Sequence, residues 1–198
     1  MAKRARYTSG LSFYEEERKT GSNKIREIVT TLIYTVIAVF IAIVTVRFFG
    51  YRVSVIGSSM EPGLVNGQNV FVNRLAYRMS APKRQDVIAF YPGGNENTHP
   101  SVKRVIAVPG DTIQVVDGVV LVNGIPESGS ASYDKITDAG SAAQEEVLGS
   151  DEYFVLGDNR SNSEDSRSAS IGSVQGSDII GRVWLALSSG ESGLHRVH

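Results

Sequence analysis

The apolar positions of this chain fall into two regimes. From Ile28 to Val46, nineteen consecutive residues are uncharged and dominated by Ile, Val, Leu, Ala and Phe. At about 1.5 Å per residue, a helix of that length nearly matches the roughly 30 Å hydrocarbon core of a bilayer. Its many β-branched residues make it a mediocre helix former in water, but in lipid the need to satisfy the backbone imposes the helix. Beyond Gly50 the apolar residues come in short runs rich in Val and Ile, divided by Gly, Asn, Asp and Pro. The runs Val53–Ile56, Val70–Leu75, Val87–Tyr91, Val102–Val108, Thr112–Val116, Val119–Val122, Tyr153–Leu156 and Ile179–Leu187 read as strands. Asp117-Gly118, between two of them, is a two-residue hairpin signal, since both turn positions must accept positive φ. No long amphipathic helical pattern follows the first apolar run. The predicted class is mostly β: a compact, coiled β-sheet body behind one N-terminal transmembrane helix.

The flanking segments refine this division. Residues 1–27 are polar and carry Lys3, Arg4, Arg6, Arg18, Lys19, Lys24 and Arg26, which predicts a flexible tail. Residues 28–49 form the anchor and 50–198 the body. A cleaved signal peptide normally has an apolar region of about 7–15 residues ending in a small-x-small site. Here the run is longer and is followed by Arg47-Phe48-Phe49-Gly50-Tyr51, so a retained anchor is predicted. The basic tail then stays in the cytoplasm and the body lies outside the cell membrane, with Phe48, Phe49 and Tyr51 at the outer interface. Residues 127–150, rich in Ser, Ala, Gly and acids, break the strand pattern and read as a loop or small insertion. Residues 188–198 read as a flexible tail.

Composition narrows the function classes. A chain of 198 residues has room for one sizeable core. Its 20 Lys and Arg balance 21 Asp and Glu, which gives no sign of a nucleic-acid partner. It has no cysteine, so disulfides, thiol nucleophiles and cysteine-bound metals are excluded.

Three stretches hold candidate chemistry. The first is Ile56-Gly57-Ser58-Ser59-Met60-Glu61-Pro62-Gly63-Leu64, where a strand runs into a serine-bearing turn. A serine hydroxyl is a poor nucleophile until a base takes its proton, and most serines beside a Pro-Gly turn only cap backbone groups. The second is Val102-Lys103-Arg104-Val105-Ile106-Ala107-Val108-Pro109-Gly110-Asp111. A lysine inside an apolar strand either guards a sheet edge or points inward, where desolvation lowers its pKa. The third is Gly157-Asp158-Asn159-Arg160-Ser161-Asn162-Ser163-Glu164-Asp165-Ser166-Arg167. It reads either as a hydrated loop or as a salt-bridge network beside a site. As a calcium loop counted from Asp158 it fails, because Arg160 and Ser163 stand at the third and sixth positions. Asn159-Arg160-Ser161 also matches a glycosylation acceptor, too short a pattern to decide anything.

Taken together and in this order, Ser-Met-x-Pro after an anchor, Lys-Arg-Val-Ile-x-x-Pro-Gly-Asp and Gly-Asp-Asn-Arg-x-Asn-Ser-x-Asp-Ser-Arg resemble the bacterial type I signal peptidases. The likeness runs from the anchor to about Trp184 and is strongest to the shorter Gram-positive members. It implies a mostly β catalytic body and a serine endopeptidase that removes signal peptides after Ala-x-Ala sites. Secretory preproteins would be its substrates, with the bilayer and the secretion machinery as partners and no metal or cofactor. By the same likeness Ser59 is the nucleophile and Lys103 the general base. Ser163 hydrogen-bonds and orients the lysine, Arg104 is a structural arginine, Asp165 and Arg167 form a site-shaping pair, and Asp158 is a further structural acid. Some relatives have a hydroxyl residue two places before the nucleophile that helps bind the oxyanion. This chain has Gly57 there, so the oxyanion is expected to rest on the Ser59 backbone N–H and a water, near Gly57. Pro62-Gly63-Leu64 also replaces the usual Pro-Thr-Leu.

Three alternatives compete. A histidine triad has only His99, His195 and His198 to draw on, and His99 lies in a polar turn where a solvated role is expected. A Ser–Lys peptidase of the self-cleaving repressor kind would be cytoplasmic and DNA-binding, whereas no helix-turn-helix precedes this body. A non-catalytic, membrane-anchored β-domain has no reason to keep Ser59, Lys103, Ser163 and Asp165 together.

Overall fold

The computed structural model describes residues 12–187 and 194–197. The chain divides into two compact units, one ending at Thr45 and one starting at Val46. A single helix, α1 (Ser12–Phe49), contains the apolar run. Its stretch Asn23–Phe49, 27 residues with a mean hydropathy of 2.5, is long and apolar enough to cross a membrane. Inside it the hydroxyls of Thr30, Thr35 and Thr45 donate to the carbonyls four residues back, so polar side chains are satisfied within the helix. The helix starts sixteen residues before Ile28, so residues 12–27 are helical where the polar composition predicts a flexible tail. The rest of that tail, residues 1–11, lies outside the described residues. Once the apolar turns are nucleated, adding residues costs little, and Glu, Lys and Arg are good helix formers.

The second unit is built from β1 (Tyr51–Ser54), β2 (Asn69–Asn73), β3 (Val87–Phe90), β4 (Ser101–Ala107), β5 (Thr112–Val116), β6 (Val119–Val122), β7 (Ile125–Pro126), β8 (Glu146–Val147), β9 (Glu152–Leu156), β10 (Val174–Gln175), β11 (Ile179–Leu187) and β12 (Leu194–Arg196). The four-residue helix α2 (Ala76–Met79) follows β2. All eight predicted strands are present within two residues of their expected ends. They make an antiparallel sheet ordered β1-β2-β11-β3-β4-β9-β10, with β12 added to β11, and a smaller sheet ordered β7-β6-β5-β8. The Asp117-Gly118 hairpin forms as expected, both residues at positive φ (51° and 79°).

Two further regions add short strands to the body. Residues 127–150 supply β8 and, with Ile136, Ala142 and Leu148, part of the core beneath the smaller sheet. Most of the segment is nonetheless exposed, a largely solvated insertion anchored by those few apolar side chains. In the predicted C-terminal tail, Leu194–Arg196 pair with Leu185–Leu187; residues 188–193 and His198 lie outside the described residues.

Three apolar clusters hold the body. One gathers Val53, Val55, Val70, Val72, Val87 and Val183 with Met60 and Leu64. Met60 and Leu64, each 1% exposed, thus moor the serine turn to the sheet. A second joins Ile106, Phe154 and Leu156 to the smaller sheet, and a third packs Ile88, Phe90, Val105 and Val155. Strand β4 lies between β3 and β9 and is buried on both faces. That location settles where Lys103 stands: in the interior of the sheet, not at an edge.

Candidate active site

The turn that carries Ser59 leaves β1 and closes on itself. Val55 donates to the Gln68 carbonyl (2.8 Å), Gly67 to the Val55 carbonyl (2.8 Å) and Leu64 to the Met60 carbonyl (2.8 Å). Gly57 sits at φ +81° with open space around it, and its N–H donates to Asn66 Oδ1 at 2.9 Å. Glycine is needed here for its backbone conformation, not for room. A hydroxyl residue at this position would be strained.

Across from the turn, Lys103 projects from β4 and its Nζ donates to Ser59 Oγ at 2.7 Å. Lys103 is 6% exposed and forms no ion pair among the described residues. Burial lowers its pKa from the ordinary lysine value; the negative charges of Asp165 and Glu164 work against that shift without reversing it. The pair opens on a cleft of about 400 Å³ whose walls include Val55, Ile56, Gly57, Ser58, Val102 and Ile171. His99 stands on the same wall, exposed, with Nδ1 against the Pro100 carbonyl at 2.9 Å. Among the described residues no hydrogen bond joins it to Ser59. His195 lies on β12.

The polar loop 157–167 closes over the turn from the other side. The Asn159 N–H donates to the Ser59 carbonyl (3.0 Å), Asn159 Nδ2 to the Ser58 carbonyl (3.2 Å) and Asn162 Nδ2 to Ser58 Oγ (3.0 Å). Gly157 lies so close that a Cβ would strike Ser163 Oγ and the Ser59 carbonyl oxygen. Asp165 is fully buried, accepts from the Gly157 N–H, and binds Arg167 through two bonds of 2.8 Å. Arg104 and Asp158 form a second bidentate pair, also 2.8 Å in both arms. The loop is thus a salt-bridge network, not a hydrated excursion.

One expected contact is absent. Ser163 Oγ is buried without a hydrogen-bond partner, so it does not reach Lys103 here. Arg167 Nη2 reaches the Ser163 carbonyl at 3.4 Å, and the hydroxyl is turned to the face of Gly157. Conversely, several residues at the site were not anticipated. Glu127 and Arg160 form a third buried bidentate pair, 2.7 Å in both arms, and Arg160 Nε donates to the Gly157 carbonyl. Asn66, Asn159 and Asn162 fix the turn, and Gly157 permits its approach. Asn159 and Arg160 lie inside the third motif. For Glu127, 33 residues from its partner, no local signal exists. Among the described residues, no group of three or more His, Asp or Glu side chains gathers as a metal site.

A serine hydroxyl held against a buried amine, at the wall of an open cleft in an all-antiparallel β-body, is the arrangement of a serine hydrolase. Residues 26–187 match the family described as signal peptidase, peptidase S26, and the chain belongs to that family. It is 34% identical to signal peptidase I P of Bacillus subtilis subsp. natto over 85% of this chain and 91% of that one. It is 37% identical to signal peptidase I of Bacillus caldolyticus, over 71% and 81% of the two chains. A solved signal peptidase I from Enterococcus faecalis is 33% identical, covering 52% of this chain and 96% of that one, with a TM-score of 0.41. The protein is accordingly a serine peptidase of the signal-peptide-removing kind.

Proposed function

We propose that this protein is a membrane-anchored signal peptidase I in which Ser59 is the nucleophile and Lys103 the general base. The supporting observation is the 2.7 Å contact between Ser59 Oγ and an amine that burial biases toward its neutral form. An exposed lysine, with a pKa near about 10.4, would be charged at neutral pH and unable to accept a proton. Neutral Lys103 Nζ takes the Ser59 proton as Oγ attacks the scissile carbonyl. The resulting ammonium gives that proton to the leaving nitrogen as the C–N bond breaks, and an acyl ester remains on Ser59. Water then attacks the ester, Lys103 takes the water's proton, and the proton returns to Ser59 Oγ as the acid leaves.

The Ser59 backbone N–H, with a water, stabilises the tetrahedral oxyanion. Ser163, whose buried hydroxyl has no other partner, is available to accept from Lys103 when the ammonium turns from Ser59. Asp165 with Arg167, and Arg104 with Asp158, hold the loop and β4 in place. Val55, Ile56, Val102 and Ile171 give the cleft apolar walls, which suits small side chains at the first and third positions before the cleaved bond.

The apolar stretch of α1 supports a single membrane span. Lys24 and Arg26 before it favour a cytoplasmic N-terminus and a catalytic body on the outer side. Preproteins arriving from the secretion machinery are the substrates. The full chain in detergent should cleave a precursor bearing an Ala-x-Ala site and release the mature N-terminus. Ser59→Ala should yield no product on the same gel. Undiminished cleavage by that variant would sink the mechanism.

A further inference from the structure

A second cavity, of about 410 Å³, lies apart from the cleft and is lined by Arg47, Arg74, Arg78, Tyr91, Glu96 and Asp178, among others. None of its three arginines is in an ion pair with a carboxylate among the described residues. Two of them are instead laid on aromatic rings. Arg74 stands 5.1 Å over Tyr51 and Arg78 stands 5.4 Å over Phe48. A guanidinium stacked by its face keeps its N–H edge free, and that edge is a planar fork matched to two phosphate oxygens. The lining carries three positive and two negative side chains, a net +1 that one phosphodiester would neutralise. Glu96 and Asp178 are left to accept from hydroxyl groups beside it.

The place of the cavity in the sequence points the same way. Arg47 is in the last turn of α1, directly after the uncharged run ends at Val46, and Phe48 follows it. A chain that crosses the bilayer with that run leaves the hydrocarbon where Arg47 stands, at headgroup depth.

We propose that this cavity binds the headgroup of an anionic phospholipid, its phosphodiester held by Arg47, Arg74 and Arg78 and its hydroxyls by Glu96 and Asp178. This rests on the membrane-anchored reading of α1 but not on the Ser59–Lys103 chemistry. The site tethers the body to the leaflet at a point separate from the cleft.

The full chain is reconstituted in phosphatidylcholine vesicles doped with phosphatidylglycerol and extracted in mild detergent, and retained lipid is counted by native mass spectrometry. Wild type should retain phosphatidylglycerol in preference to phosphatidylcholine. Losing two charge-assisted contacts in the pair Arg74→Gln with Arg78→Gln should lower that retention about tenfold or more. Arg74→Lys with Arg78→Lys, which keeps charge without the fork, should fall between. Arg52→Gln, whose guanidinium stacks on Phe71 away from the cavity, should match wild type. Equal retention of the two lipids by wild type, or undiminished retention by the Gln pair, would overturn the site. Displacement by inorganic phosphate at matching concentration would mark it as a free-phosphate site and also overturn it. Cleavage of a detergent-soluble precursor, run on each sample, should remain at the wild-type rate in the Gln pair and shows that the body is folded. Flotation of the wild type with the vesicles tests the anchor by itself.

Discussion

Lys103 and Arg104 are neighbours on one strand and so face opposite sides of it. Both are cations with under a tenth of their surface exposed, yet their environments push them in opposite directions. On the Arg104 side burial also opposes the charge, but the bidentate hydrogen bonds and charge of Asp158 outweigh it, and the guanidinium pKa rises. On the Lys103 side no carboxylate is in contact, burial prevails, and the amine pKa falls. Burial alone therefore does not lower the pKa of a basic side chain. What matters is burial with the partner withheld, and all three bidentate acids near the site are spent on arginines.

The contrast is most severely tested at Lys103. Lys103→Arg keeps the charge and strand position but replaces a group able to lose its proton with one that stays protonated. Precursor cleavage should fall by about 10²–10⁴-fold, the range that a positioned general base supplies. Lys103→Met should be as inactive, yet melt no lower than wild type, since it removes a desolvated amine while conserving volume. An arginine variant with near wild-type turnover would dissolve the distinction between the two sides.

Asp158→Asn tests the other side. It leaves the Arg104 guanidinium buried without its counter-charge, an error that costs about 3–5 kcal/mol in comparable pairs. A denaturant titration should show that loss in full. Gly157→Ala comes next, because the new methyl would press Ser163 and the Ser59 carbonyl apart. Overpacking of this kind costs about 1–3 kcal/mol, and here the displacement falls on the proposed nucleophile's own peptide. Cleavage should therefore drop more than the melting temperature suggests. If the two fall in proportion, Gly157 is only a packing position.

The sequence makes β4 legible as a strand but not the orientation of its lysine. A strand buried on both faces has no alternation to read, so Val102-Lys103-Arg104-Val105 does not say which cation meets the turn. The eight longer strands are legible because each is an apolar run bounded by turn residues. Two-residue β7, β8 and β10 are too short for periodicity, although Asn123-Gly124, both at positive φ between β6 and β7, is a hairpin signal of the same kind as Asp117-Gly118. The third motif marks the loop over Ser59, whereas the Glu127–Arg160 pair joins distant segments through space and leaves no local trace. Ser163 shows the remaining limit: the family resemblance of the third motif puts its hydroxyl near the lysine, but only packing decides that it faces Gly157.

The finest test concerns the residual negative charge on the Lys103 side. Glu164 is exposed, makes no contact with Lys103, and accepts from Ser170 Oγ at 2.6 Å. Its charge, like that of Asp165, favours the ammonium form and holds the lysine pKa higher than burial alone would leave it. Glu164→Gln removes that influence while keeping the side chain's size and its ability to accept from Ser170. The neutral amine then persists to lower pH, so the rising acid limb of kcat/KM should move toward lower pH with its plateau unchanged. The shift should shrink as salt is added, because an exposed charge acts through solvent. A limb that stays in place would mean that Glu164 is fully screened and that burial, opposed only by Asp165, sets the amine. A limb displaced upward would have the wrong sign for losing a negative charge beside any titrating group, and would sink the electrostatic coupling of Glu164 to the amine.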